Sequence, residues 1–161
     1  MNYRGHVRVN PDLLLEFFLT FARAEFALKN SGFVKGNERE VSADWDGFTA
    51  SIKSSFTKDK SDDLVQAVNY ILDNPPMKQV LRKNTLMWEA NVPDGNLTEI
   101  EVLIWLVRRI RNNLFHGGKH NIALFEDTER TTRLLKSSLI IIQECLLLAP
   151  HVKTTYDEAT I

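Results

Sequence analysis

The 161-residue chain has a single cysteine, Cys145. An intrachain disulfide is therefore impossible, and a thiolate zinc site lacks the sulfurs it needs. No apolar run reaches the ~18 residues that a membrane span requires. The longest, Leu139 to Ala149, is interrupted by Gln143 and Glu144. Neither sign of charge dominates: 20 Lys and Arg stand against 21 Asp and Glu, for a net charge of -1. Any nucleic-acid contact must then come from a local basic patch. There is no phosphate-cradling glycine loop, no serine-nucleophile motif, no internal repeat and no low-complexity segment. Met1 to Asn10 carries Arg4, His6 and Arg8 without an apolar stretch, so it does not read as a signal peptide. The hydrophobic fraction of 43% and charged fraction of 25% exclude disorder, collagen and a coiled-coil rod. These features lead us to expect a soluble, reduced, cytoplasmic protein with no membrane association. Residues 1–161 are expected to form a single helical domain with a tail from about residue 150.

What is present reads as helices. Asn10-Pro11 resembles an N-cap followed by a first-turn proline. Leu14, Phe18, Phe21, Glu25 and Leu28 then recur at helical spacing as far as Ser31-Gly32. A second helix is expected from Ser42 to Phe56 and a third from Ser61 to Leu72, the latter stopped by Pro75-Pro76. A short helix is expected over Met77 to Asn84, and Val92-Pro93-Asp94-Gly95 is a turn. A long helix begins at Thr98, with Ile100, Leu103, Val107, Ile110 and Leu114 as its stripe, and ends at Gly117-Gly118. The last runs from about Phe125 to Leu148, closed by Pro150. No strand alternation is apparent, so the expected fold is all-α: an antiparallel bundle of four to five helices.

The helix from Thr98 carries the candidate chemistry. From Glu101 to His120, Arg108, Arg109, Arg111 and Lys119 oppose one acid, Glu101, giving +3 locally and leaving -4 on the rest of the chain. A basic strip on a mildly acidic chain suits a phosphate-binding site, and it equally suits a solvated helix end whose cations complement the dipole. At about 100° per residue, Arg111 flanks the apolar stripe. Asn112 and His116 point to the opposite side, together with Val102 and Trp105. A helix that is apolar on two faces is covered on both. The second cover is either another subunit or another helix of the same chain.

Glu25 sits on the apolar stripe of the first helix, between Phe21 and Leu28. A carboxylate there must be paired, with Arg111 and Asn112 as candidates, or must reach water. His116 and His120 have a metal-like spacing, but Gly117-Gly118 between them breaks the helix and no acid lies near in sequence, so no metal site is expected. Cys145 reads as an inert core thiol. Asp44, Asp46, Asp62 and Asp63 read as helix-start residues. Asn96-Leu97-Thr98 matches a glycosylation sequon, which has no role without secretion.

The segment Arg111-Asn112-Asn113-Leu114-Phe115-His116 resembles the signature of the HEPN superfamily (higher eukaryotes and prokaryotes nucleotide-binding). In that pattern an arginine is followed by a polar residue, a short gap and a histidine. Here four residues separate Arg111 from His116, and Asn112 is the polar one. The apolar helix, the closing Gly117-Gly118 and the size also match; beyond this helix the likeness is one of pattern. The resemblance implies an all-α bundle. It further implies a metal-independent endoribonuclease, a toxin or defence effector, acting as a homodimer on RNA without a cofactor. A nucleotidyltransferase or another antitoxin is the partner it suggests. On that basis His116 is the general acid/base, Arg111 stabilises phosphate, and Asn112 orients one of them or binds phosphate. Glu25 corresponds to an acidic residue on the first helix of several groups. Arg108, Arg109, Lys119 and His120 would attract RNA, and Trp105 would stack a base. The family also includes non-catalytic modules for dimerisation or for nucleotide or protein binding, which remain the alternative.

Overall fold

The computed structural model describes residues 9–90, 93, 95–115 and 128–160. Six helices and two small sheets are present among them. In chain order they are α1 (Pro11–Asn30), β1 (Val34–Gly36), β2 (Val41–Ala43), α2 (Trp45–Ile52), α3 (Asp62–Asp73), β3 (Lys78–Arg82), β4 (Thr85–Glu89), α4 (Glu99–Phe115), α5 (Thr128–Leu147) and α6 (Pro150–Glu158). The strands form two antiparallel pairs, β1 with β2 and β3 with β4. The chain is thus α+β, and the expected all-α bundle of four to five helices is corrected.

Helix starts follow capping chemistry. Asn10 Oδ1 accepts from the amides of Asp12 (2.8 Å) and Leu13 (3.4 Å), with Pro11 in the first turn of α1. Asp44 accepts from Gly47 N at 3.1 Å at the head of α2. Ser61 Oγ accepts from Leu64 N at 3.2 Å at the head of α3. At the head of α4, Thr98 N and Oγ1 both donate to Glu101 Oε2, at 2.8 and 2.6 Å. Thr98 O also accepts from Val102 N, so Thr98 and Glu101 act as the reaching-back half of a capping box.

The strands replace segments expected as helix. Ser42 lies in β2, so the helix expected from Ser42 begins only at Trp45. Three-residue strands are too short to show alternation. The first hairpin is fixed by its turn instead. Asn37 Oδ1 accepts from Arg39 N and Glu40 N, and Gly36 has φ +143, where a Cβ would collide with Glu40 O. The short helix expected over Met77 to Asn84 is instead the β3–β4 hairpin, with Leu81 opposite Leu86 and Gln79 opposite Trp88. Its two-residue turn places Lys83 and Asn84 at φ 46 and 63, the left-handed geometry that tight hairpins demand. Pro150, expected as a stop, occupies the first turn of α6. That helix buries Val152 and Tyr156, in the stretch expected as a tail.

A single apolar cluster forms the core. Helix α5 lies at its centre, packing against α1, α3, α4 and α6. Phe17, Phe48, Leu28, Leu135, Ile141 and Ile142 are fully buried, each side chain contributing about 1.5–3 kcal/mol by leaving water. Buried hydroxyls are satisfied within their own helices: Ser138 donates to Leu134 O at 2.7 Å and Thr49 to Trp45 O at 2.6 Å. Arg23 fastens α6 to α1, donating to Tyr156 O at 2.8 Å with its guanidinium over the Tyr156 ring. Cys145 is buried, and burial pushes its thiol far above its usual value, leaving it unreactive.

An apolar surface is left open on α1. Leu15, Leu19, Ala22 and Phe26 line the outer side of α1 at steps of four, three and four. Phe115, at the end of α4, is 62% exposed and meets Phe18 edge to face at 5.1 Å between ring centroids. No single described helix is long and apolar enough to cross a membrane.

Candidate functional site

Helix α4 carries Arg108, Arg111, Asn112 and Phe115 outside its buried stripe of Ile100, Leu103, Val107 and Ile110. Its last turns lie between α1 on one side and α2 with the hairpin on the other. Consecutive residues on a helix diverge by about 100°, so Arg111 and Asn112 face two different grooves.

The first groove, about 480 Å³, runs between α1 and the end of α4. Its polar floor is Glu25 and Arg111, both about 30% exposed at the side chain (31% and 29%). Arg111 Nη2 donates to Glu25 Oε2 at 3.4 Å, and Trp45 Nε1 donates to Glu25 Oε1 at 3.3 Å. The guanidinium also lies 5.3 Å from the Phe21 ring and 5.1 Å from the Phe115 ring. Of the alternatives open for Glu25, pairing with Arg111 is the one adopted, and it leaves one edge of the carboxylate near water. Arg111 Nη1 donates to Asn112 Oδ1 at 3.0 Å. The guanidinium is thus steered by a carboxylate, an amide and two rings while staying open to the groove. Such a fork can hold a phosphate or any other oxyanion.

The second groove, about 540 Å³, lies between α4 and the β3–β4 hairpin. Trp88, Trp105, Lys78, Arg108 and Asn112 line it. Arg108 Nη1 donates to Asp46 Oδ1 at 3.0 Å, and the other Asp46 oxygen accepts from Lys35 Nζ at 3.0 Å. The second apolar face of α4 borders this groove. α2 and β3 of the same chain pack there, and Trp105 is half-buried.

Arg109 differs from its neighbour. It is 9% exposed, its guanidinium lies 3.7 Å from the centroid of Trp105, and Nη1 donates to Pro76 O at 3.5 Å. Burial lowers its pKa, although a guanidinium remains charged at any ordinary pH. Arg109 therefore packs against Trp105 while also lining this second groove. Asn113 likewise turns inward, donating to Met77 O at 2.9 Å. The candidates His116, Lys119 and His120, and the Gly117-Gly118 stop, lie outside the described residues. Among the described residues no group of three His, Cys, Asp or Glu side chains could hold a metal ion.

Sequence reasoning missed Trp45 as the second partner of Glu25, Asp46 as the partner of Arg108, and Lys78, Gln79 and Trp88 as groove residues. The last three follow from the hairpin, whose turn places Lys83 and Asn84 in left-handed geometry and whose strands show no apolar alternation in sequence. In comparisons with known proteins, no family model, curated protein or solved structure matches the chain.

Proposed function

We propose that the chain is a metal-independent endoribonuclease of the HEPN type, acting as a homodimer in a toxin or defence role. The observation that carries the reading is Arg111. It is presented at an open groove, oriented by Glu25 and Asn112, with four residues between it and His116 in sequence. RNA brings its own nucleophile, so no metal-generated hydroxide is needed. The 2′-oxygen bonds to phosphorus as the P–O5′ bond breaks. A base takes the 2′-hydroxyl proton, and an acid gives a proton to O5′. An imidazole titrating near neutrality suits either transfer, and His116 is the group assigned to it. The Arg111 fork meets the charge that builds on the phosphorane oxygens. Products are a 2′,3′-cyclic phosphate and a 5′-hydroxyl.

One imidazole cannot readily serve both sides of the phosphorus, and a second copy of the motif supplies the other. The surface we assign to that pairing is the open stripe of Leu15, Leu19 and Phe26 with Phe115, because it is continuous with the groove that holds Arg111. The face carrying Val102 and Trp105, which sequence reasoning offered to a second subunit, has α2 and β3 against it. The test is product analysis on RNA in excess chelator. Cyclic-phosphate ends are expected from the wild type, with loss in His116→Ala and strong reduction in Arg111→Ala while both remain folded. A requirement for added magnesium contradicts the reading, and an absence of cleavage in any buffer favours the non-catalytic module.

A further inference from the structure

The second groove has no part in the phosphate chemistry assigned to Arg111, yet its lining is specific. Two indoles, Trp88 from β4 and Trp105 from α4, meet there with Lys78 and Arg108 as cations and with Gln79 and Asn112 as amides. A volume of about 540 Å³ admits a base with its sugar. Aromatic faces stack bases of any sequence, cations hold the backbone, and amides address base edges. Trp105 has the Arg109 guanidinium on one of its faces, which leaves Trp88, half-buried on the hairpin side of the groove, as the indole with no cation stacked on it among the described residues. Trp88 Nε1 is screened from solvent and has no hydrogen-bond partner among the described residues, so no bond fixes that ring in place. Arg108 is held by Asp46, itself 70% exposed, and an exposed ion pair of this kind exchanges readily for another anion. Asn112 joins the two grooves, lining this one while accepting from Arg111, which faces the other.

We infer that the groove between α4 and the β3–β4 hairpin seats one nucleotide of single-stranded RNA beside the phosphate held by Arg111. Trp88 stacks the base, and Arg108, released from Asp46, takes the backbone phosphate together with Lys78. This rests on the ribonuclease reading for its substrate but makes a separate demand on binding.

The probe is a fluorescein-labelled 2′-O-methyl hexa-adenylate, which cannot be cleaved because its 2′-oxygens are blocked. Binding to the wild-type protein is followed by anisotropy across a salt series, with free AMP as competitor. Trp88→Ala is expected to weaken binding about tenfold or more, and Trp88→Phe to recover most of the loss. Arg108→Ala should reduce the slope of log affinity on log salt by about 0.7, one phosphate contact on a single strand. Asp46→Asn should tighten binding, since it removes the carboxylate that competes for Arg108 and Lys35. Far-ultraviolet circular dichroism checks that each variant is folded. Wild-type affinity in both Trp88→Ala and Arg108→Ala overturns the proposal, as does displacement of the hexamer by AMP at equal concentration, which assigns the groove to a free nucleotide. Cleavage of ordinary RNA by a protein whose groove variants bind normally sinks the subsite and leaves the nuclease reading. Groove-dependent binding without cleavage does the reverse.

Discussion

Glu25 of α1 and Arg111 of α4 are 86 positions apart and meet at 3.4 Å, with the second oxygen of Glu25 taken by the Trp45 indole at 3.3 Å. The pair is partly open to solvent, so it contributes only about 0–1 kcal/mol to stability. Its effect is on direction: it points the guanidinium along the groove. Glu25→Gln is therefore expected to lower RNA cleavage by about tenfold, which corresponds to one misdirected charge-assisted hydrogen bond, while the melting temperature changes little. Glu25→Asp should restore part of the rate. A large drop in melting temperature with proportionate loss of activity marks Glu25 as structural only.

Neighbouring arginines should behave differently. Arg109→Ala removes a buried guanidinium stacked on Trp105 and is expected to destabilise the fold by about 2 kcal/mol. Arg108→Ala removes an ion pair with exposed Asp46 and should stay within about 1 kcal/mol of wild type. Urea unfolding separates the two. Equal effects contradict the packing role given to Arg109.

Acidification should act through the helix caps. The Gly47 amide and then Lys35 hold the Asp44 carboxyl below its usual range. The Thr98 hydroxyl and then the Thr98 amide do the same for Glu101. A carboxyl lowered in the folded state contributes its full stability above its unfolded pKa and loses it as pH falls through the folded one. Melting temperature should thus be insensitive to these groups near neutrality and fall below about pH 4. Asp44→Asn and Glu101→Gln should each flatten that fall. Unchanged acid sensitivity in both variants counts against the caps.

The open stripe on α1 predicts self-association. Leu19→Glu places a charge among Leu15, Phe26 and Phe115 on a surface that is not core, so folding should survive while the dimer is lost. Sedimentation velocity at micromolar concentration reads the change. A wild-type protein that sediments as a monomer removes the paired-site mechanism.

Much of the helical framework was legible because its signals are local. Asn10-Pro11, Ser61 and Thr98 each mark a start with a residue whose side chain or backbone caps an amide, and the α4 stripe of Ile100 to Ile110 is regular enough to orient its arginines. The pairing of Glu25 with Arg111 was also readable, since a carboxylate on an apolar stripe needs a partner. The hairpins were not. In β3–β4 the turn is Lys83-Asn84 rather than the glycine-containing pair that usually announces a two-residue loop, and its apolar residues Leu81 and Leu86 face solvent. What fixes that hairpin is tertiary: Trp88 lines the groove against α4, and β3 packs on that helix. The burial of Arg109 was hidden in part for the same reason: Trp105, one turn back on α4, supplies a stacking face, but Pro76 comes from 33 positions away.

In the proposed function, Arg111 and His116 together cut RNA without a metal. The most direct measurement compares wild type with His116→Ala on a single-stranded RNA in excess chelator, with the 3′ ends of the products identified. Cyclic-phosphate ends made by the wild type and absent from a folded His116→Ala protein are the predicted result. Cleavage that persists unchanged in that variant, or that appears only when magnesium is restored, contradicts it.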